Sequence, residues 1–232
     1  MPDAPRPAAE ATAHAVAGRT VLVAGATSAA GYAVAEALVA AGARVIVVGS
    51  DPGRIEALER EVPGVIGEVA DLSDGDEVLE LAMRVHAGVG DVDGVVHLVG
   101  GWRGGGGILG QSDEDYRFLE RSFASLRHLS RTFVEDLLAS PAGRISIVSS
   151  TSVDRPTAGG ANYTAVKSAS ESWMRSVADE FGRADTPSAA AVTFRVRSLD
   201  GLEESLADEV VAMWDAPAAE LNGSVSTLQP RV

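Results

Sequence analysis

Val21-Leu-Val-Ala-Gly-Ala-Thr-Ser-Ala-Ala-Gly31 joins an apolar, β-branched run to a helical pattern through a turn marked by glycine. A strand–turn–helix junction of this kind aims backbone N–H groups and the positive end of a helix dipole at one spot, which suits a dinucleotide pyrophosphate. Glycine at positions 25 and 31 lets the chain turn tightly and approach phosphate closely. A junction that binds no cofactor also uses glycine, so the Gly25-x5-Gly31 spacing by itself reads either way.

Outward from this junction, apolar runs alternate with helical patterns, which implies a parallel sheet covered by helices on both faces. The expected strands are Thr20–Gly25, Arg44–Val48, Val65–Val69, Gly94–Val99, Arg144–Ser149, Ala190–Val196 and Ser224–Leu228. Most lack strict alternation, as strands buried on both faces do. Asp51 before Pro52 has the form of an N-cap, and Ser73 before Asp74 reads as another helix entry. Val34, Leu38 and Ala41 share one face of the first helix. Leu119, Leu126, Phe133 and Leu137 share a face of a long helix after Asp113, Tyr163 to Phe181 forms another, and a further helix begins near Glu203. Gly104–Gly107 is expected to be the most mobile loop. The expected fold is a three-layer α/β/α, Rossmann-type doubly wound sheet of about seven strands. It forms a single domain over 18–232, after an Ala/Pro-rich tail over 1–17 expected to be disordered.

The 232 residues carry a formal charge of −14, which disfavours nucleic acid and anionic membranes as partners. No apolar run reaches the roughly 20 residues of a membrane helix, and the first 17 residues lack the pattern of an export signal. The chain has no cysteine, which excludes disulfides, thiolate nucleophiles and Cys-based zinc sites and permits a cytoplasmic setting. The four histidines share no ligand-like spacing, so no metal is expected. A small molecule is the expected partner.

Of the 19 basic residues, 18 are arginine, and Lys167 is the one lysine. In Asn162-Tyr-Thr-Ala-Val-Lys167 a phenol and that ammonium stand at i and i+4 on one helix face. A phenol with a reference pKa of about 10 is a poor acid–base group at neutral pH unless a nearby cation stabilises phenolate. Upstream, Ile145-Ser-Ile-Val-Ser-Ser150 ends a buried strand with two adjacent hydroxyls, at the edge where such sheets bind ligands.

Together these residues resemble the short-chain dehydrogenase/reductase family in its compact form, whose glycine pattern is Thr-Gly-x-x-x-Gly-x-Gly. Ala24 stands for the Thr, Gly25 and Gly31 match, and Ala29 replaces the middle Gly, where its methyl would crowd a phosphate. Ser150 lies thirteen residues before Tyr163, which is the family's spacing of catalytic Ser and Tyr. The resemblance implies hydride transfer between a nicotinamide cofactor and a carbonyl/alcohol pair. Ser150 would hold the carbonyl oxygen, Tyr163 would transfer the proton, and Lys167 would lower the Tyr pKa and bind the nicotinamide ribose. Thr27, Ser28 and Ala29 of the turn, with Gly100, would also meet the cofactor. Asp71-Leu72 matches the family's adenine contact. Gly49-Ser50-Asp51 lacks the acid expected for NAD, and with Ser50 as donor and Arg54 one turn on, NADP(H) is favoured over NAD(H).

The sequence also departs from the family. Its Asn-Asn-Ala-Gly becomes His97-Leu-Val-Gly100, its central-helix Asn aligns with Ser122, and Arg195-Val-Arg-Ser-Leu-Asp-Gly201 lacks the usual Pro-Gly and implies a short lid. Val99-Gly-Gly-Trp102 is similar to the corresponding loop of dihydropteridine reductases, which implies a flat substrate near Trp102, with Arg103 beside it for an anionic group or solvent. The alternatives are therefore a pteridine reductase, or a weakly catalytic nucleotide-binding sensor or assembly protein. The helices around Leu126 and Trp173 resemble those that form dimers and tetramers in the family, so a homodimer or homotetramer is expected.

Overall fold

The computed structural model describes residues 14–185 and 187–229. Its strands are β1 Thr20–Ala24, β2 Arg44–Gly49, β3 Val65–Val69, β4 Gly94–His97, β5 Arg144–Ser150, β6 Ala190–Val196 and β7 Val225–Thr227. All pair in parallel, in the order β3-β2-β1-β4-β5-β6-β7. The helices are α1 Ala29–Ala40, α2 Pro52–Glu61, α3 Gly75–Gly88, α4 Asp113–Ala139, α5 Ala161–Gly182, α6 Glu203–Ala212 and α7 Ala218–Leu221.

Strand side chains alternate between two cores because successive residues point to opposite faces. Val21, Val23, Val45 and Val47 join Val34 and Leu38 of α1, Leu58 of α2 and Leu206 and Val210 of α6. Leu22, Ala24, Ile46 and Val48 join Leu81 of α3, Leu126 and Phe133 of α4 and Phe181 of α5. This two-sided burial is why the strands read as unbroken apolar runs. The chain builds outward from β1 to β3, then returns to lay β4 against β1. That reversal opens a crevice beyond the carboxyl ends of β1 and β4.

Several boundaries differ from expectation. β4 stops at His97, because after Leu98 N–H bonds Ala24 O at 2.8 Å the backbone passes over the glycine turn. The cap of α3 is Asp74, which accepts from the N–H groups of Asp76 and Glu77, whereas Ser73 is held by Asp71. Ala41 caps the C-terminus of α1 and is half-buried. The structured part begins before residue 18: Val16 is fully buried and Gly18 N–H bonds Gly42 O at 2.8 Å. Residues 1–13 of the expected tail lie outside the described residues. In the glycine loop at 104–107, Gln111 Nε2 donates to the carbonyls of Gly105, Gly107 and Gly159.

Arg144 opens β5 from a site only 2% exposed. It donates to the carbonyls of Met213, Gly143, Ser188 and Ala216, tying the end of α6 and the loop before β6 to the sheet. Removing it strands these acceptors, and buried unpaired polar groups are costly. Arg144→Met should therefore lower the unfolding free energy by about 3 kcal/mol in urea denaturation. An unchanged midpoint would show that the carbonyls find other partners.

Candidate active site

The glycine turn sits at the crevice floor. Gly25 has φ +76°, and a Cβ there would lie 2.8 Å from Val99 N. A Cβ at Gly31 would lie 2.1 Å from Ala26 O, so this glycine is needed to close the turn onto the helix. Ser28 caps α1, its hydroxyl accepting from Gly31 N–H at 3.1 Å and donating to Gly25 O. Ala29, the first residue of α1, is exposed.

A cavity of about 450 Å³ runs above this turn, among Gly25, Thr27, Ser28, Ser50, Arg54, Asp71, Leu72 and Gly100. Eight expected cofactor residues thus converge there, while Ala29, Gly31, Tyr163 and Lys167 lie outside its lining. Asp51 is the cap of α2, accepting from Arg54 N–H. The Arg54 guanidinium donates to Thr27 O, bracing the turn from the side of β2. Asp71 Oδ1 takes the N–H and hydroxyl of Ser73, and Oδ2 takes Arg121 at 2.6 Å. Burial raises the Asp71 carboxyl, but these bonds and the Arg121 charge outweigh it and hold the group below its ordinary value. Phe118 and Arg121 also line the cavity. The sequence reading missed both; their i, i+3 spacing beside the buried Leu119–Leu126 face was the available signal.

At the other end of the crevice, Ser150 closes β5 and its hydroxyl accepts from Ser152 N–H. Asn162 N–H donates to Gln111 Oε1, and Thr164 Oγ1 donates to Ser152 Oγ, docking the first turn of α5 over Ser150. Tyr163 is thereby brought beside Ser150. Burial raises the phenol pKa, and the Ser150 hydroxyl partly offsets the shift. Lys167 Nζ lies 5.8 Å from the Tyr163 ring centroid and donates to Val148 O at 2.7 Å. The expected lowering of the phenol by Lys167 is therefore not what the structure gives, because desolvation dominates and the ammonium is aimed at a carbonyl. Burial also lowers Lys167 itself to about 8, opposed by Glu171.

His97 takes the place where the family has asparagine. It is 5% exposed, bonds Ser125 Oγ at 2.7 Å and links β4 to α4. Burial, then the Lys167 charge, lowers its pKa to about 3, so it is neutral. Ser122 lies close by, but its hydroxyl donates to Leu119 O within its own helix. Trp102 is 63% exposed and Arg103 lies over the Phe118 ring at 4.1 Å; neither lines this cavity or the one at Ser150. Away from the crevice, His86, Asp91 and Asp136 bring their ligand-type atoms within 4.8 Å, with His86 Nε2 and Asp136 Oδ2 at 2.8 Å. Sequence spacing had not brought these three together.

A model of the short chain dehydrogenase family matches residues 19–187. The chain belongs to this family. It is thus an oxidoreductase of the NAD(P)-binding short-chain dehydrogenases, which act on small molecules and often oligomerise. It is 32% identical over 219 residues to a 1-deoxy-11-beta-hydroxypentalenate dehydrogenase of Streptomyces avermitilis, covering 85% of this chain and 80% of that one. It is 29% identical over 167 residues to a 3-oxoacyl-(acyl-carrier-protein) reductase of Salmonella typhimurium, covering 70% and 67%. A metagenomic short-chain oxidoreductase solved in complex with NADP superposes with TM-score 0.82 at 26% identity, covering 94% of this chain and 100% of that one. Among the described residues, no helix is long and apolar enough to cross a membrane.

One turn beyond Lys167, Glu171 is 3% exposed and accepts from Ser149 Oγ at 2.7 Å and from Arg195 Nε and Nη2 at 2.8 and 2.7 Å. The sequence reading gave it no role. Burial raises its carboxyl, and the Arg195 and Ser149 bonds bring it below its ordinary value. Glu171→Ala removes one partner of a buried ion pair and should cost about 3 kcal/mol of stability by urea denaturation. A loss below about 1 kcal/mol would mean that Asp154 alone satisfies Arg195.

Proposed function

We propose that this short-chain dehydrogenase transfers hydride between NADP(H) and a carbonyl/alcohol pair, with NAD(H) as the weaker cofactor. The observation that carries the reading is the grouping of Ser150, Tyr163 and Lys167 at the end of β5, where the cavity above the glycine turn ends. A Cβ on Gly100, which lines that cavity, would lie 3.7 Å from Lys167 Nζ. The bound dinucleotide supplies or takes up the hydride.

The chain's own residues divide the rest. Thr27 and the free N–H groups at the N-terminus of α1 would receive the pyrophosphate at the positive end of the helix dipole, on a turn that the Ser28 hydroxyl holds through Gly25 O and Gly31 N–H. Gly25 and Gly31 shape that turn. Ser50 and the Arg54 guanidinium receive a 2′-phosphate, and Asp71 and Leu72 border the adenine. Ser150 donates to the carbonyl oxygen. Tyr163, kept protonated by burial, passes its phenolic proton to that oxygen in reduction and recovers one in oxidation. Lys167 sets the charge beneath the phenol and bonds the nicotinamide ribose. Ser122 stands where the family has its relay asparagine, and its engaged hydroxyl fits a slow relay.

We also propose assembly as a homodimer or homotetramer through α4 and α5. Leu126, expected to belong to this contact, is 1% exposed and faces the core. The outer groove is lined instead by Val134, Leu138, Trp173 and Val177. Light scattering should show a dimer or larger; a monomer at micromolar concentration would refute the assembly.

Tyr163→Phe should lower kcat by roughly a thousandfold while leaving NADPH affinity unchanged, since the phenolic proton serves chemistry and not binding. Unchanged turnover would remove Tyr163 from the reaction. Lys167 is cationic below about 8 and loses its proton as pH rises through that value. Consequently kcat/KM should fall across an alkaline limb near pH 8; a profile flat to pH 10 would show that the ammonium is dispensable.

A further inference from the structure

A second cavity, of about 390 Å³, opens beside Ser150 and is lined by Ser150, Thr151, Ser152, Asp154, Arg155 and Arg197. It is the substrate side of the site if the hydride-transfer reading holds, and the inference here rests on that reading. Its walls are set by two short loops. Val196 pairs with Ser150 in the β5–β6 register, so Arg197 follows one residue beyond the level of the serine hydroxyl. Arg155 arrives from the opposite loop, where its N–H bonds Ser152 O at 3.1 Å.

The charges of this cavity are unbalanced. Its one carboxylate, Asp154, is gripped by Arg195 Nη1 at 3.0 and 2.9 Å, and Arg195 is in turn held by Glu171. Arg155 and Arg197 have no ion pair and no side-chain hydrogen bond among the described residues. Both are exposed, in a chain with 33 acidic residues against 19 basic ones. Two guanidinium forks lining one cavity present the planar donor geometry that receives a carboxylate bidentately.

We propose that the substrate is an oxo acid whose carboxylate is received by Arg155 and Arg197 while its carbonyl oxygen lies on Ser150. Because Ser150 lines the same small cavity as both arginines, carbonyl and carboxylate lie within a few bonds of each other on a short chain. Arg197 occupies the position after β6 where the sequence lacks Pro-Gly, so the short lid and the cationic lining meet at one residue. The carboxylate anchors the substrate at an open mouth, where a covering loop would otherwise hold it.

The test compares a short 3-oxo acid and a short 2-oxo acid with their methyl esters, with NADPH as reductant, in the wild-type protein and in the Arg155→Gln/Arg197→Gln double variant. At least one acid should be preferred over its ester by about tenfold or more in kcat/KM, and the ratio should fall toward unity in the double variant. Arg183→Gln, a change at an exposed arginine paired with Asp179 on α5, should leave the ratio intact. Esters reduced as well as the acids, or an acid preference that survives in the double variant, would overturn the proposal. So would a tenfold weakening of NADPH binding in the double variant, which would assign the arginines to the cofactor. If neither acids nor esters turn over, hydride transfer to these carbonyl compounds fails, and the anion site is read separately by calorimetric titration of the acids into NADP-saturated protein. Heat that is present in the wild type and lost in the double variant supports the site; no heat in the wild type overturns it.

Discussion

A methyl group has no room at Gly25, and the geometry of the crevice follows from that. The left-handed backbone there and the 2.8 Å that a Cβ would leave to Val99 N allow the segment after β4 to cross directly over the glycine turn. This crossing lies where the order of strands reverses, so helices leave β1 and β4 on opposite faces and the carboxyl edge stays open between them. The glycines therefore serve the fold first. Gly31 illustrates the point, since it is demanded by Ala26 O and lies outside the cavity lining.

The fold was legible because parallel strands buried on both faces must be apolar throughout, and the helices between them carry caps such as Asp51. Boundaries were less legible where a distant contact decides them. β4 ends where the chain turns over Gly25, and Asp74 caps α3 because Asp71 holds Ser73. The early burial of Val16 was hidden in a stretch whose composition reads as a tail.

In the candidate site, Ser150, Tyr163, Lys167 and Asp71 were legible as candidates because their spacing and type are local in sequence. Arg121, Phe118 and Glu171 were not, because their roles arise only when α4 and α5 pack beside the sheet. The phenol shows the limit of pattern most clearly. Spacing places an ammonium one turn from Tyr163, yet burial decides the direction of its shift, and Lys167 spends its short hydrogen bond on Val148 O. Similarly, the replacement at His97 means that sheet contacts are made differently, and a neutral imidazole bonded to Ser125 supplies one of them between β4 and α4.

The central claim is that the cavity above the glycine turn holds a dinucleotide, and a fluorescence titration of the purified protein with NADPH and, in parallel, NADH tests it most directly. Saturable micromolar binding of both, with NADPH the tighter, is the predicted result. Binding of neither would contradict the account, and would leave Ser150, Tyr163 and Lys167 without the hydride that their chemistry requires.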